Sequence, residues 1–204
     1  MKSVRILFVT GTDTGVGKTV LATLITHSLR ENGFRVAALK PICSGGRDDA
    51  RRLHRAAGKV LSLDEVNPWH FSAALAPSLA ARAEKKRLRL GTVVAHIRRI
   101  ARRFETVIVE GAGGLLSPLG EAFDSRDLIQ ALGALPIVVC PNKLGAVNQV
   151  RLVMEALPAP AARQVRVVLV DPVKPDLASR TNLELLTEFV PPNRVCVLPW
   201  ISGM

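Results

Sequence analysis

The feature that most constrains the fold is an apolar run that leads through a glycine-rich loop into a helical pattern. Residues 4–10 read VRILFVT, residues 11–19 read GTDTGVGKT, and the helical pattern runs from about Lys18 to Asn32. A short apolar run rich in β-branched residues is typical of a buried strand. A loop of this kind brings backbone N–H groups to the positive end of a helix, which favours anion binding. The sequence therefore predicts a ligand at the end of the first strand.

Apolar runs and helical patterns alternate along the rest of the chain. Further strands are predicted at 35–39, 106–110, 136–140, 165–170 and 195–199, and helices at 48–58, 91–103, 125–133, 145–156 and 181–189. Continuously apolar strands suit a parallel sheet that is buried on both faces, and the alternation implies right-handed crossovers. We expect one domain over residues 1–204 with an α/β fold, a doubly wound, mostly parallel sheet with helices on both faces, like a P-loop NTPase. The irregular segment 59–90 is expected to form a subdomain or a lid.

Composition narrows the class of protein. The chain has 204 residues, of which 48% are hydrophobic, so a globular fold with a real core is expected. No apolar run approaches the roughly 20 residues of a membrane helix. The first apolar run leads directly into the glycine loop, so we interpret this run as a strand and not as a signal peptide. The three cysteines show no paired or metal-like spacing and are expected to be reduced. We expect a cytoplasmic protein without membrane contact.

The positive charge is concentrated in one part of the chain. The net charge is +11, and residues 47–103 hold 14 Lys and Arg against 5 Asp and Glu. A basic face can attract nucleic acid, but aromatic residues make up only 4% of the chain and no nucleic-acid motif is present. The expectation is a solvated basic face without nucleic-acid binding.

The glycine loop departs from the usual phosphate-loop pattern at one position. The pattern G-x-x-x-x-G-K-[ST] would need glycine at Thr12, but the glycine stands one residue earlier, at Gly11. The second half of the loop is intact: glycines allow N–H groups to point inward, the lysine brings charge to the outer phosphates, and the threonine offers a hydroxyl to Mg²⁺. The predicted nucleotide-binding residues of this loop are Gly15, Val16, Gly17, Lys18, Thr19 and Val20.

Polar residues also follow two other predicted strands. Lys40 ends the second strand, Glu110 ends TVIVE, and Asp49 opens a helix soon after the second strand. Mg²⁺ prefers oxygen ligands, so Thr19, Asp49 and Glu110 are candidate ligands, although Glu110 could be a solvated strand end and Asp49 an ordinary first-turn residue. Lys18 and Lys40 would converge on one anion, which suits phosphoryl transfer without identifying the acceptor.

Four segments in this order resemble the dethiobiotin synthetase family over almost the whole chain: GTDTGVGKT, KPICSG, VEGAGGLLSPLG and PIVVCPNKLGAVNQ. The resemblance implies a homodimeric ligase of biotin biosynthesis. Such an enzyme uses ATP, CO₂ and Mg²⁺ to close a ureido ring on 7,8-diaminopelargonic acid, through a carbamate and a carbamic–phosphoric anhydride.

The resemblance also implies roles for individual residues. Lys40, Lys18 and Thr14 would be catalytic, Ser44 would bind the diamine or the carbamate, and Thr19, Asp49 and Glu110 would hold Mg²⁺. The partner subunit's substrate carboxylate would lie at Leu144, Gly145, Ala146, Val147 and Asn148. The remaining nucleotide contacts would be Gly111, Ala112, Gly113, Asp171, Pro172, Pro199, Trp200 and Ile201.

Two departures and two alternatives remain open. Asp171 stands where the family has a base-reading asparagine, so nucleoside triphosphates other than ATP are possible co-substrates. The loop before the predicted helix 48–58 is short, so either Asp48 or Asp49 could be the metal ligand. One alternative is a partition or division-type ATPase with a basic DNA-binding surface, although the signature lysine of that group is Asp13 here. The other alternative is a non-catalytic nucleotide-binding regulatory module.

Overall fold

A computed structural model describes residues 4–201 of the chain and contains a six-stranded sheet and a two-stranded sheet. The strands are β1 (Arg5–Gly11), β2 (Val36–Leu39), β3 (Ile42–Ser44), β4 (Trp69–Phe71), β5 (Thr106–Glu110), β6 (Leu135–Pro141), β7 (Arg166–Val170) and β8 (Val195–Leu198). The large sheet has the order β2–β5–β1–β6–β7–β8, and all of its neighbouring strands are parallel. The predicted doubly wound α/β fold is confirmed.

Helices cover both faces of the large sheet. They are α1 (Lys18–Glu31), α2 (Asp48–Ala56), α3 (Leu63–Val66), α4 (Pro77–Ala83), α5 (Leu90–Ala101), α6 (Ser125–Leu132), α7 (Ala146–Ala156), α8 (Ala159–Ala162) and α9 (Leu177–Thr187). Phe8 of β1 packs in one hydrophobic cluster with residues of α5 and α6, and Val9 packs in another with residues of α1 and α2. Successive strand residues point to opposite faces, so a continuously apolar strand is buried on both sides. Among residues 4–201, no helix combines the length and the apolar character that a bilayer crossing needs.

The irregular segment 59–90 contributes α3, β4 and α4. Its strand β4 pairs in parallel with β3, which follows β2 almost directly, so this segment is joined to the edge of the large sheet. The last helix begins at Leu177, four residues before the predicted start, because the Asp176 side chain accepts a hydrogen bond from the Ser179 N–H and caps the helix there.

The strand register places the ends of three strands at one edge. Val9 of β1 lies opposite both Glu110 of β5 and Ile137 of β6, and Leu39 of β2 lies opposite Val109. The loops that follow these strands therefore start at the same height, which is where ligands bind in open α/β sheets.

Candidate functional site

A cavity of about 720 Å³ opens at the carboxyl edge of β1, β2 and β5. It lies between the glycine loop, the turn after β2 and the glycine run after β5. The residues predicted from the sequence that line this cavity are Thr14, Gly15, Gly17, Lys18, Thr19, Val20, Lys40, Ser44, Asp49, Glu110, Ala112 and Gly113. One cavity thus brings together three segments that are far apart in the sequence.

The glycine loop passes into α1 through a left-handed residue. Gly17 has φ +99°, a conformation that L side chains rarely adopt, and a Cβ on this residue would lie 3.2 Å from the Val170 side chain. Lys18 is only 6% exposed, and its Nζ donates to the Asp13 carbonyl at 2.6 Å. Burial, reinforced by the nearby Lys40, lowers the pKa of Lys18 to about 8. The glycine loop therefore holds the Lys18 ammonium against the loop backbone, where little water reaches it. An anion bound there would stabilise the charge of Lys18.

Lys40 is the centre of the site. Its side chain is 5% exposed, and Nζ lies 2.5 Å from Glu110 Oε1, 3.0 Å from the Gly111 carbonyl and 3.2 Å from Asp49 Oδ2. Burial opposes the charge, but the carboxylates of Glu110 and Asp49 outweigh it and raise the pKa of Lys40 above its ordinary value. Lys40 is therefore a fixed ammonium that donates hydrogen bonds to Glu110 and to the Gly111 carbonyl and forms an ion pair with Asp49.

The oxygens beside Lys40 fit a hard divalent cation. Thr19 Oγ1 donates to Glu110 Oε1 at 2.8 Å, whereas Glu110 Oε2 is buried with no hydrogen-bond partner among residues 4–201. A buried carboxylate oxygen without a partner is costly, and a cation would satisfy it. Carboxylate and hydroxyl oxygens are the ligands that Mg²⁺ prefers. No group of three or more His, Cys, Asp and Glu side chains in the described chain could hold a metal, so phosphate or water oxygens would have to complete the shell.

The structure distinguishes Asp49 from Asp48. Asp49 faces Lys40, and despite partial burial the Lys40 ammonium holds the pKa of Asp49 below its ordinary value. Asp48 turns to solvent, where its side chain is 87% exposed and contacts Arg51 at 2.9 Å. Neighbouring residues of a helix point about 100° apart, so only one of the two carboxylates can face the cavity.

One wall of the cavity was not expected from the sequence. Residues 74–77, at the start of α4, and residues 117–118 form this wall. Ser44 Oγ donates to the Leu75 carbonyl at 2.6 Å, which joins this wall to the turn after β2. The proline and small-residue content of APS (76–78) and SPLG (117–120) marked turns, but nothing in the sequence placed the two turns beside each other.

Two groups of predicted site residues lie outside this cavity, and Val16 and Gly111 do not line it either. Residues 144–148, at the start of α7, do not line it, and Leu144 is 83% exposed. Asp171, Pro172, Pro199, Trp200 and Ile201 follow β7 and β8 and do not line it either. Asp171 is held in place, because Asn142 Nδ2 donates to its Oδ1 at 2.6 Å and Asn142 itself accepts from Asn182 Nδ2 at 2.9 Å.

Comparisons with known proteins agree on the family. The family model described as an AAA domain matches residues 5–204. The ATP-dependent dethiobiotin synthetase of Anaeromyxobacter dehalogenans (strain 2CP-C) is 46% identical over 157 residues, which is 75% of this chain and 70% of that protein. The enzyme of the same name from Akkermansia muciniphila is 37% identical over 187 residues, 91% of this chain and 87% of its own length, and that of Bacillus licheniformis is 36% identical over 188 residues, 89% and 80% respectively.

Solved structures of other P-loop proteins share the fold. A ParA family ATPase from Chlorobium tepidum aligns with a TM-score of 0.61 and 13% identity, covering 99% of this chain and 86% of that protein. The hydrogenase maturation factor HypB from Archaeoglobus fulgidus aligns with a TM-score of 0.56 and 13% identity, covering 99% and 84%. At such identities the likeness concerns the fold alone.

The buried ion pair generates a stability prediction. Lys40→Met should lower the free energy of unfolding by about 3 kcal/mol, because it leaves the Glu110 carboxylate buried without its closest positive charge. The double variant Lys40→Met/Glu110→Gln should recover most of that loss, since neither partner then carries a charge. Chemical denaturation of the wild type and the variants measures these differences.

The exposed ion pairs of Glu121 with Arg87 and Arg89, at 3.5 and 3.3 Å, are the control for this cycle. Glu121→Gln should cost less than about 1 kcal/mol, because solvent screens those pairs. A double variant no more stable than Lys40→Met alone would contradict the assignment of the loss to an unpaired buried charge.

Proposed function

This chain belongs to the dethiobiotin synthetase family, and we propose that it uses ATP to close the ureido ring of dethiobiotin on 7,8-diaminopelargonic acid with CO₂. The observation that carries the proposal is the ammonium of Lys40, fixed between Glu110 and Asp49 in the same cavity as the phosphate-loop Lys18. Phosphorylation of a carbamate needs positive charge on both the phosphate and the carbamate, which two lysines in one cavity supply. Nucleotide binding without catalysis would not need the second lysine.

The proposed reaction proceeds through anions at each stage. One amine of the substrate adds to CO₂ and loses a proton, which gives a carbamate. A carbamate oxygen attacks the γ-phosphorus of ATP, ADP leaves, and a carbamic–phosphoric anhydride results. The second amine then attacks the carbamoyl carbon, loses a proton and expels phosphate, which closes the ring. Fixed positive groups that face developing negative charge stabilise such transition states.

Each residue near the cavity has a proposed part in this sequence. Lys18 binds the outer phosphates, and Lys40 stabilises charge that builds between the γ-phosphate and the carbamate. Among the three groups that contact the Lys40 ammonium, Asp49 would give way to an incoming anion, because its contact is the longest and its side chain is half exposed. Thr14 and Ser44 line the cavity on either side and would orient the diamine or the carbamate.

Mg²⁺ is the proposed metal, held by Thr19, Asp49 and Glu110. The buried, unpartnered Oε2 of Glu110 supports this set of ligands. When bound, Mg²⁺ supplies positive charge to the phosphate oxygens of ATP.

Asp171 and its neighbours are the proposed binding site for the nucleotide base. Gly111 is proposed to lie beside the phosphates. Val170, directly before Asp171, packs against Gly17 of the phosphate loop, so a nucleoside that extends from the loop toward β7 would reach Asp171, Pro172, Pro199, Trp200 and Ile201. Asn142 occupies one lone pair of the carboxylate and fixes its orientation. An ionised carboxylate can only accept hydrogen bonds. The site would therefore weaken the preference for ATP and also admit guanine, which offers N1–H and an N2 amine together, or cytosine, which offers an amine.

The proposed homodimer would complete the substrate site. Residues 144–148 lie outside the cavity of their own subunit, and Leu144 is an exposed apolar residue, which supports a role across a subunit interface. Light scattering during turnover tests this, and a fully active monomer would contradict it.

The alternative of a DNA-binding partition ATPase has less support. Its fold is shared at 13% identity, but the loop has Asp13 at the signature lysine position. The curated relatives named above are dethiobiotin synthetases at 36–46% identity.

The central experiment is a product assay with diaminopelargonic acid, bicarbonate, Mg²⁺ and ATP. The wild type should form dethiobiotin, detected by mass spectrometry. Lys18→Met and Lys40→Met should each lose roughly 2–4 kcal/mol of transition-state stabilisation, because each removes a preorganised positive charge. Near-normal turnover by folded Lys40→Met would refute the role of Lys40, and absence of dethiobiotin with the wild type would refute the proposed function.

The pair of neighbouring aspartates offers a matched test of the metal site. Asp49→Asn should raise the Mg²⁺ concentration for half-maximal activity about ten-fold or more, because a carboxylate ligand becomes a neutral amide. Asp48→Asn, one residue away and turned to solvent, should leave that concentration unchanged. Equal Mg²⁺ dependence in the two variants would exclude Asp49 as a ligand.

The base preference is tested by comparing ATP, GTP and CTP at sub-saturating concentration. The wild type should accept GTP or CTP relatively well, and Asp171→Asn should shift the preference toward ATP by about ten-fold, because a mismatched polar contact costs about 1–3 kcal/mol. A strong preference for ATP that Asp171→Asn leaves unchanged would count against base reading by this residue.

A further inference from the structure

Asn67 is a buried polar residue that the proposed mechanism does not use. It is 0% exposed and follows α3 directly, within the segment between α2 and α4. It does not line the cavity. A fully buried asparagine needs hydrogen-bond partners for its amide, and the identity of these partners suggests its role.

The amide of Asn67 contacts three points of the turn that carries Lys40. Its Nδ2 donates to the Lys40 carbonyl at 2.6 Å. Its Oδ1 accepts from Cys43 Sγ at 3.2 Å and from Arg47 Nε at 3.1 Å. One side chain thus bonds to the first residue, a middle residue and the last residue of the stretch 40–47.

The hydrogen bonds of Asn67 hold the backbone at Lys40, where hydrogen bonding between strands of the sheet has ended. The pairing of β2 with β5 ends at Leu39, and β2 stands at the edge of the six-stranded sheet that residues 4–201 form. Pro41 has no N–H with which to continue a ladder. Instead the backbone of the inserted segment bonds here: the Lys40 N–H donates to the Val66 carbonyl at 3.0 Å, and the Trp69 N–H donates to the Pro41 carbonyl at 3.1 Å.

Arg47 extends the same network to α2. Its Nη2 donates to the carbonyls of Leu63 and Asn67 at 3.1 and 3.0 Å and contacts Asp64 Oδ1 at 2.8 Å. Because α2 begins at the next residue and Asp49 follows, the network around Asn67 fixes the backbone on both sides of the Lys40–Asp49 contact.

We propose that Asn67 is a positioning residue that acts on the reaction through Lys40. Its amide holds the Lys40 backbone so that the ammonium meets Glu110, Asp49 and the anion in one geometry. Small displacements of a catalytic group cost large factors in rate, so the amide should affect turnover much more than nucleotide binding. This inference rests on the proposed function, since it concerns the rate of ring closure.

The test is a double-mutant cycle between Asn67 and Lys40, with dethiobiotin formation as the assay. Asn67→Ala should lower kcat roughly 10- to 100-fold in the wild-type background. In the Lys40→Met background the same change should lower kcat less than about three-fold, because the group through which it acts is already absent. Within each Lys40 background, Asn67→Ala should leave the dissociation constant for ATP within about three-fold, because none of the hydrogen bonds that Asn67 makes among residues 4–201 involves the glycine loop.

Val66→Ala is the matched control. Val66 is the preceding residue, is 1% exposed and belongs to the hydrophobic cluster that includes Ile42. Its hydrogen bond to the turn is made by its backbone carbonyl, which the substitution keeps. The variant should retain kcat within about three-fold while losing thermal stability. Should Asn67→Ala not fold, Asn67→Asp replaces it in the cycle. That variant keeps the size and an acceptor for Arg47 but loses the donor to Lys40, and it should show the same loss of kcat.

Three kinetic results would overturn the proposal: an equal fold-loss of kcat with and without Lys40, a normal kcat for the Asn67 variant, or a loss in Val66→Ala as large as in the Asn67 variant. A crystal structure of the Asn67 variant gives a readout independent of activity, because the distance between Lys40 Nζ and Glu110 should change. An unmoved Lys40 would also overturn it. Absence of dethiobiotin with the wild type would instead refute the proposed function, so the two failures are distinguishable.

Discussion

A lysine and a glutamate form an ion pair in a place that solvent does not reach, and the site is organised around this pair. The Lys40 ammonium lies 2.5 Å from Glu110 Oε1, with both side chains almost fully buried. Two charges in such a place are tolerated only when the geometry is good and the remaining donors and acceptors are satisfied. Asp49, the Gly111 carbonyl and the Thr19 hydroxyl meet this need, and the unsatisfied Oε2 of Glu110 remains as the point where a cation would add.

The position of this ion pair follows from the topology of the sheet. Lys40 and Glu110 follow adjacent parallel strands, β2 and β5, and β1 on the other side of β5 leads into the glycine loop. Because parallel strands end at a common edge, the two lysines and the carboxylates reach one cavity without long loops. Phosphoryl transfer depends on positioning and electrostatic stabilisation, and a rigid sheet edge provides both.

Local sequence signals predicted those parts of the site that a strand end or a glycine loop can carry. Gly17 was identified because a glycine before Lys18 and Thr19 lets backbone N–H groups point inward around an anion, and the structure adds that its backbone is left-handed. Lys40 and Glu110 were identified because charged residues at the ends of buried strands are unusual. Asn67 had no such signal, since an asparagine before a proline is typical of a turn, and only the folded chain shows that its amide bonds to the Lys40 carbonyl. The choice of Asp49 over Asp48 was also open, because it depends on the rotation of α2 about its axis.

The sequence by itself determined the strand–loop–helix unit and the alternation of strands and helices. Together these predict a parallel sheet with a functional site at the carboxyl ends of its strands. These properties depend on residues that are close together along the chain, through periodicity and backbone preference. The tertiary structure alone decided the strand order, the joining of β3 and β4 to the sheet edge, the wall formed by residues 74–77 and 117–118, and the partners of Asn67 and Arg47. Those contacts connect residues far apart in the sequence, and they are set by how helices and loops pack on the sheet, which no local pattern encodes.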